Sequence, residues 1–287
     1  MRFIIYLLLL FIITTSCAQN YGQMEFITHL PKTMDEVSGI QKISDDGLLW
    51  MINDAGNKDH LYGLNEKGKI IKDINIKGAK NIDWEDLTKD DEGNLYIGDF
   101  GNNSNERKDL SIYKIDKPDQ IRDDEVNSSE IQFEYPQQKN LSSMKIKSNP
   151  NVEAFFFFDN YFYLFTKNHS ANFDGQTFLY KIPAKKGKHV AKMISSFKTC
   201  TEETKDCQVT SVDISPNKEK IALLGHDRIW LFSNFNGEDF LSGKMKIILL
   251  DHSSQKEGLC FVDDYTLLIT DEGKKNTGRN LYRLTLN

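Results

Sequence analysis

Short apolar runs separated by polar turns continue through the chain from about residue 24 to its end. A phrase recurs in them. An acidic or polar residue opens an apolar strand, a polar turn and a second strand follow, and a third strand contains Leu-Tyr or a similar pair. Five such stretches begin 47 to 68 residues apart, at Glu36, Glu85, Glu153, Thr210 and Glu257. Repeats of this length, with no helical periodicity, predict an architecture of repeated β units.

The spacing inside the repeats is partly constant. In three stretches the opening glutamate precedes the residue that ends the second strand by 14 positions. The three pairs are Glu85 with Asp99, Glu153 with Lys167, and Glu257 with Asp271. We therefore predict an all-β fold, a β-propeller of five blades, with six blades as the alternative count. A β-sandwich would also accommodate the strands and turns, but it gives no reason for the constant spacing.

The two ends of the mature chain predict how the ring closes. The fifth stretch ends at Asn287 after three strands, and the segment from Met24 to Leu30 is a spare strand. We expect this N-terminal strand to complete the last blade as its outer strand. Closure of this kind leaves only short, protected sheet edges.

The repeat predicts where the acidic residues lie. The first strand of a blade lines the central channel and the second returns antiparallel, so the start of one and the end of the other share one end of the channel. The inner ring is then Glu36, Glu85, Glu153, Thr210 and Glu257. The outer ring is Asp54, Asp99, Lys167, His226 and Asp271, with Asp86 and Asp213 close by. The ten ring positions carry a formal charge of −6.

So much like charge must be compensated, either by raised carboxyl pKa values or by a bound cation. Carboxylate oxygens suit Ca²⁺ better than Zn²⁺. The predicted metal ligands are Glu85, Asp86, Asp99, Glu257 and Asp271. A small ligand would contact Glu36, Asp54, Glu153, Lys167 and Thr210, and His226 is the candidate general base. Alternatively, the opening acids accept backbone hydrogen bonds from the neighbouring blade, and the two roles can coexist.

The first 18 residues read as an export signal, with Arg2 followed by an apolar run from Phe3 to Ile13. Thr14-Thr15-Ser16-Cys17 resembles a lipobox, which predicts lipidation of Cys17. Cleavage after Ala18 is the alternative. The protein is then a cell-envelope lipoprotein or a secreted protein, and residues 19–287 form a single propeller domain.

Cysteine usage is consistent with export. Cys200 and Cys207 bracket a short polar loop, which predicts a local disulfide in an oxidising compartment. A metal-binding pair is the alternative, although no second Cys or His pair lies nearby in sequence. Cys260 lies in an apolar strand and is predicted to be a buried free thiol.

Three short segments that open inner strands carry a family resemblance: Glu36-Val37-Ser38-Gly39, Trp84-Glu85-Asp86-Leu87 and Glu257-Gly258-Leu259. They resemble the SdiA-regulated propellers and the esterase-like domain of phytase-type propellers. The first of these families consists of exported proteins largely without an assigned activity. Glu85-Asp86-Leu87 is also similar to a segment of paraoxonase-type lactonases. That resemblance implies a central Ca²⁺ that polarises an ester carbonyl, although those enzymes carry Asn at several channel positions.

These observations lead to three functional hypotheses. The first is an exported propeller whose acidic funnel binds a calcium-like cation and a small ligand. The second is a calcium-dependent hydrolase of lactones, esters or phosphoesters. The third is a platform that binds another protein of the cell envelope. The chain lacks a basic stripe interleaved with aromatic residues, which argues against nucleic acid as a partner. We expect a monomer that meets the membrane only through an N-terminal lipid anchor.

Overall fold

The computed structural model describes residues 20–45, 47–104, 106–136, 151–167, 175–200, 205–275 and 277–287. The predicted export signal and Cys17 lie outside these residues. The described residues form 22 strands, numbered β1 to β22 along the chain, and four single-turn 3₁₀ helices. The helices are Lys32–Met34, Pro118–Gln120, Lys205–Cys207 and Phe240–Ser242. None of the helices in this part of the chain is long and apolar enough to cross a membrane.

The strands form five sheets. Blade 1 contains β2 (Val37–Lys42), β3 (Leu49–Asn53), β4 (His60–Leu64), β5 (Ile70–Lys77) and β9 (Glu125–Asn127). Blade 2 contains β6 (Trp84–Lys89), β7 (Leu95–Asp99), β8 (Leu110–Ile115), β10 (Ser129–Glu134) and β14 (Gly187–Val190). Blade 3 contains β11 (Val152–Phe158), β12 (Tyr161–Thr166), β13 (Gln176–Pro183) and β15 (Lys192–Lys198). Blade 4 contains β16 (Ser211–Ile214), β17 (Lys220–Leu224), β18 (Arg228–Ser233) and β19 (Lys244–Leu249). Blade 5 contains β20 (Lys256–Asp263), β21 (Thr266–Asp271), β22 (Asn280–Thr285) and β1 (Glu25–His29).

The blades close into a ring. The innermost strands β2, β6, β11, β16 and β20 each contact the innermost strands of the two neighbouring blades, and β20 returns to β2. The N-terminal strand β1 pairs antiparallel with β22, with Glu25 opposite Arg283 and His29 opposite Asn280. The predicted five-bladed propeller, closed by its N-terminal strand, is therefore confirmed.

The hydrophobic core is divided into five clusters, one between each pair of adjacent blades. Trp50 and Trp84 are fully buried between blades 1 and 2, and Trp230 is fully buried between blades 3 and 4. Because each blade packs both of its faces against its neighbours, its first two strands are almost continuously buried, as in β2, β3, β6 and β7. This packing holds the inner strands around a common axis.

Two short parallel strands add to the predicted set. β9 pairs with the end of β5, and β14 pairs with β10. Each comes from a connection between later strands and lies on the outer edge of an earlier blade. They cover edges that would otherwise be open to pairing with another chain.

Candidate functional site

One irregularity recurs at the same point of four blades and directs side chains toward the axis. The pairing of the first two strands shifts by one residue at Ser38, Glu85, Glu153 and Glu257. A bulge of this kind leaves one residue out of the ladder and changes the direction of its side chain. In blade 4 the corresponding residue is Thr210, whose N–H donates to the carbonyl of Leu224 at 3.0 Å.

These bulges open into a pocket of about 230 Å³. Five carboxylates line it: Asp54, Glu85, Glu153, Glu257 and Glu272. Lys167 and His226 are its basic groups, and the amides of Asn103, Gln208 and Gln255 and the hydroxyl of Ser38 complete the described lining. The pocket is acidic and polar, and it lies where the inner strands begin.

The carboxylates are most closely grouped on the side of blades 1 and 2. One ligand oxygen from each of Asp54, Asp83 and Glu85 lies within 4.8 Å of the others. The N–H of Ala55 donates to Asp54 at 2.5 Å, and the N–H of Asp83 donates to Asp99 at 3.0 Å. A Cβ atom on Gly101 would overlap the carboxylates of both Glu85 and Asp83.

Two ligand oxygens on opposite sides of one Ca²⁺ are about 4.8 Å apart, because each bond is about 2.4 Å. The carboxylates of Asp54, Asp83 and Glu85 therefore lie within reach of a single ion. Their all-oxygen chemistry fits Ca²⁺, whereas Zn²⁺ favours His and Cys ligands.

Burial and mutual repulsion raise the pKa of these carboxyl groups. Burial, followed by repulsion from Asp83 and Glu153, raises the pKa of Asp54 to about 7. Burial and Glu153 raise the pKa of Asp83 and raise that of Glu85 well above its usual range. Glu272, on the far side of the pocket, has a pKa raised to about 9 by burial and by Glu257. A cation in the pocket would relieve this cost by favouring the ionised forms.

Two other carboxylates of the pocket, Glu153 and Glu257, are paired with basic groups. Lys167 Nζ lies 3.0 Å from Glu153 Oε2, and Asn151 Nδ2 donates to the other oxygen of Glu153. Burial alone would lower the pKa of Lys167, but Glu153, Glu257 and Glu85 together raise it, so this amine is cationic. His226 Nε2 lies 3.5 Å from Glu257 Oε1. Burial tends to raise the pKa of Glu257, but Lys167 and His226 lower it overall.

The structure brings together six of the predicted site residues in this pocket: Asp54, Glu85, Glu153, Lys167, His226 and Glu257. Thr210 is near them, but its hydroxyl donates to the carbonyl of Lys256 at 2.7 Å. Its role in the ring is a contact between blades 4 and 5.

Glu36 is misplaced by the sequence prediction. Val37 is paired with Asn53 as Trp84 is with Asp99, so the residue equivalent to Glu85 is Ser38 and not Glu36. The Glu36 side chain is exposed, lies outside the pocket lining and accepts a hydrogen bond from Asn57 at 2.6 Å.

Asp99 and Asp271 are misplaced by one residue. Both end their strands, but the pocket-lining position is the next one along the chain, as it is for Asp54, Lys167 and Glu272. The constant spacing of 14 is misleading because blades 2 and 5 contain extra residues that blade 3 lacks. The β6–β7 turn has five residues, 90–94, and β20 carries a second bulge between Phe261 and Asp263, whereas the β11–β12 hairpin turns through only Asp159 and Asn160.

Both of these aspartates are buried and bonded to protein groups. Asp99 pairs with Arg107 at 2.9 Å. Asp271 accepts hydrogen bonds from the N–H of Asn280 and the hydroxyl of Tyr282, each at 2.8 Å. Neither residue is placed to hold a cation in the pocket.

Asp86 lies below the pocket and links the blades. It accepts hydrogen bonds from the N–H of Leu87 at 2.9 Å, the N–H of Phe155 at 3.2 Å and the hydroxyl of Ser211 at 3.1 Å. Ser211 in turn accepts from the N–H of Leu259 at 3.1 Å. One chain of hydrogen bonds therefore joins blades 2, 3, 4 and 5.

The channel is narrow at this level. A Cβ atom on Gly39, at the position equivalent to Asp86, would lie only 2.8 Å from the backbone nitrogen of Leu87. The residues at this level in blades 3 and 5 are also small, Ala154 and Gly258. Small residues let the inner strands approach one another, and the linked pair Asp86–Ser211 occupies the axis as the floor of the pocket.

Asp83 and Glu272 are the two pocket acids that the sequence analysis missed. Glu272 directly follows Asp271, which ends β21. An alignment of the blades by the residue after the second strand would have identified it, as it does Asp54 and Lys167. Asp83 lies two residues before the bulge position of blade 2, and the equivalent residues of blades 3, 4 and 5 are amides: Asn151, Gln208 and Gln255. Glu36 is its equivalent in blade 1, where the side chain is exposed and outside the pocket lining.

The Cys200–Cys207 disulfide borders the pocket. The two cysteines are bonded to each other, with a Cα–Cα distance of 5.9 Å. Gln208, which lines the pocket, is the next residue along the chain. Cys260 is a free, fully buried thiol.

No protein-family model matches the chain, and no curated protein matches it. Among solved structures, it is similar to a gluconolactonase from Xanthomonas campestris, with a TM-score of 0.44 and 9% identity over 84% of this chain and 69% of the other. It is also similar to a protein provisionally assigned as a gluconolactonase, with a TM-score of 0.45 and 11% identity over 93% and 94% of the two chains. The PQQ-bound aldose sugar dehydrogenase from Streptomyces coelicolor gives a TM-score of 0.50 and 9% identity over 92% and 98%. This last likeness supports the β-propeller fold.

Proposed function

We propose that this protein binds a divalent cation of the calcium type in its axial pocket and, beside the cation, a small polar ligand. The observation that carries the proposal is the grouping of Asp54, Asp83 and Glu85 oxygens within 4.8 Å of one another. Burial raises the pKa of all three carboxyl groups, so each is costly to ionise without a counter-charge.

The arrangement of the other pocket residues supports a ligand of limited size. Away from Asp54, Asp83 and Glu85, the pocket is lined by the pairs Lys167–Glu153 and His226–Glu257. Each pair carries a hydrogen-bond donor and an acceptor, so this side of the pocket can contact a polar ligand with both. A volume of about 230 Å³ accommodates a small polyhydroxylated or cationic molecule but not a polymer.

Calorimetric titration with Ca²⁺ tests the cation site, after chelation and dialysis. We expect one ion per chain, and we expect Glu85→Gln to weaken binding at least about tenfold because it removes a charged ligand. Glu66→Gln is the matched control, since Glu66 is exposed on blade 1 and its one ion pair among the described residues is with Lys42. Equal affinity of the wild type and Glu85→Gln, or no binding by the wild type, would contradict the proposal.

A second candidate function is cation-dependent hydrolysis of a lactone or ester, and the contact between His226 and Glu257 favours it. A bound cation of this type polarises a carbonyl oxygen. Glu257 lies 3.5 Å from His226 Nε2 and would hold the ring so that His226 accepts a proton from water.

A panel of lactones and aryl esters tests this second candidate. Turnover that is abolished both by chelator and by His226→Asn, with Ca²⁺ affinity retained in that variant, would establish hydrolysis. Calcium binding without turnover of any member of the panel leaves the binding function alone.

Export to the cell envelope is also part of the proposal. The Cys200–Cys207 disulfide supports it, because such bonds persist in oxidising compartments. We also propose kinship with the SdiA-regulated propellers, inferred from Trp84-Glu85-Asp86-Leu87. This kinship does not indicate a particular activity.

A further inference from the structure

The outer strands of three consecutive blades differ in charge from the rest of the molecule. Residues 185–198, which include β14 and β15, and residues 244–249, which form β19, contain seven lysines and no Asp or Glu. The whole chain carries a formal charge of −6, so the remainder carries −13. We call residues 185–198 and 244–249 the basic edge.

The lysines of the basic edge are exposed to solvent. They are Lys185, Lys186, Lys188, Lys192, Lys198, Lys244 and Lys246. Lys188 lies 3.0 Å from Glu134 in a surface ion pair, and Lys246 donates to the carbonyl of Asn287. Among the described residues, the other five make no ion pair with an acidic side chain.

The basic edge also carries most of the exposed apolar side chains. Of the eight large hydrophobic residues exposed in the described part of the chain, five lie on it: Val190, Met193, Met245, Ile247 and Leu249. Leu249 is 54% exposed and Ile247 is 45% exposed. In β19, Met245, Ile247 and Leu249 point to one face of the strand and Lys244 and Lys246 to the other. Because β19 is the outermost strand of blade 4, both sets of side chains are exposed along the same edge of the ring.

The start of the described chain lies at the end of this edge. The N–H of Gln23 donates to the carbonyl of Leu250 at 2.9 Å, and its side chain donates to Asp251 at 2.7 Å. Both partners directly follow β19. Cys17 precedes Asn20 by three residues in the sequence, so a lipid carried there would be attached to the chain close to this point.

We propose that the basic edge is a docking surface for an anionic lipid bilayer. Lysines attract negatively charged headgroups, and apolar side chains enter the interface between headgroups and acyl chains. A lipid on Cys17 would emerge beside this edge and hold it against the bilayer. The edge is on the circumference of the ring and the acidic pocket is on its axis, so docking leaves the pocket open.

The surface proposal is independent of the cation proposal, because it uses none of the pocket residues. The link to a lipid on Cys17 rests on the proposed export. The charge and the apolar character of the basic edge do not depend on export. The test therefore uses residues 19–287, which contain every strand of the ring and lack the anchor.

Co-sedimentation with vesicles tests the docking surface. We expect the protein to bind vesicles of phosphatidylcholine mixed with phosphatidylglycerol, to ignore phosphatidylcholine alone, and to dissociate as salt is raised. Each lysine near an anionic surface contributes about a fivefold gain in binding. Reversing the charge of three lysines should therefore weaken binding by about a hundredfold or more. The edge variant is Lys192→Glu, Lys244→Glu and Lys246→Glu.

The matched control reverses three exposed lysines of blade 1 and gives the same net charge: Lys58→Glu, Lys67→Glu and Lys69→Glu. It should retain most of the binding. A second edge variant keeps every charge and removes apolar surface: Met245→Ser, Ile247→Ser and Leu249→Ser. It should bind at least tenfold more weakly with an unchanged melting temperature, since these side chains are exposed.

Three results would overturn the proposal. One is failure of the wild type to distinguish anionic from neutral vesicles. Another is equal weakening by the edge variant and the blade 1 control, which would reduce the effect to net charge. The third is a dimer that forms through β19 and is disrupted by the Ser variant without any vesicle binding, because the edge would then be an interface between two copies of the chain.

Discussion

At the scale of single residues, the local backbone decides which acids face the axis. Glu85, Glu153 and Glu257 are each the extra residue of a bulge, and this places three buried carboxylates in one pocket. Asp86 and Asp271 are also carboxylic residues near the axis, but their oxygens accept hydrogen bonds from other groups of the protein. Acidity alone therefore does not identify a site residue, whereas position relative to the bulge does.

The raised pKa values give stability of the cation-free protein a definite pH dependence. Glu272 has a folded pKa of about 9 against an ordinary 4.5, and Asp54 one of about 7 against 3.8. The folded state then binds more protons than the unfolded state between these values, so stability falls as pH rises. Two groups that oppose this fall act mainly outside the range from pH 5 to 8, since Glu257 has a lowered pKa and that of Lys256 is lowered only to about 8. The pKa of His252 is lowered from 6.5 by burial and Lys256 and opposes the fall inside the range, but it is one group against the two carboxyls.

We therefore predict that the melting temperature in chelator decreases from about pH 5 to about pH 8. Scanning calorimetry at a series of pH values measures it. Glu272→Gln should flatten the decrease, and Glu66→Gln should leave it unchanged. A melting temperature that rises across this interval would show that the pocket acids are ionised and stabilised without a cation.

At the scale of strands and hairpins, the sequence was sufficient for the repeat but not for its exact alignment. Apolar runs and polar turns predict five blades and their four main strands, because strand burial on two faces leaves a strong pattern. Glu36, Asp99 and Asp271 were misassigned because hairpin lengths differ between blades, and sequence spacing carries no record of which residues pair. The parallel strands β9 and β14 are three and four residues long, too short to leave a pattern.

The inner strands also depend on polar links that apolar patterns do not reveal. Ser211 joins Asp86 of blade 2 to the N–H of Leu259 in blade 5. We predict that Ser211→Ala lowers the free energy of unfolding by about 1–3 kcal/mol, because it leaves a buried N–H without its acceptor. Urea denaturation measures the loss.

Ser233→Ala, in the same blade, is the control for this change. Its hydroxyl is partly exposed and makes no side-chain hydrogen bond among the described residues. A similar small loss in both variants would mean that the link through Ser211 does not hold the ring together.

At the scale of the whole molecule, stability depends on closing the ring with β1. Met24 and Leu30 are buried at the ends of this strand, in the clusters on either side of blade 5. Each such side chain contributes about 1.5–3 kcal/mol, a large part of a typical total of about 5–15 kcal/mol.

We predict that a chain beginning at Pro31 is largely unfolded or aggregated at ambient temperature, because it also exposes the edge of β22. Circular dichroism and size-exclusion chromatography distinguish these states from the native fold. The chain beginning at Gln19 is the control and should melt cooperatively. A cooperative, monomeric shortened chain would show that four blades and a three-stranded fifth are self-sufficient.

The same closed ring gathers the pocket acids, and we propose that this gathering serves a cation. Crystals grown with Mn²⁺ as a calcium substitute and measured for anomalous scattering test it most directly. We predict one strong peak bonded to oxygens of Asp54, Asp83 and Glu85. A pocket without such a peak, or a peak held only by Glu257 and Glu272, would contradict it.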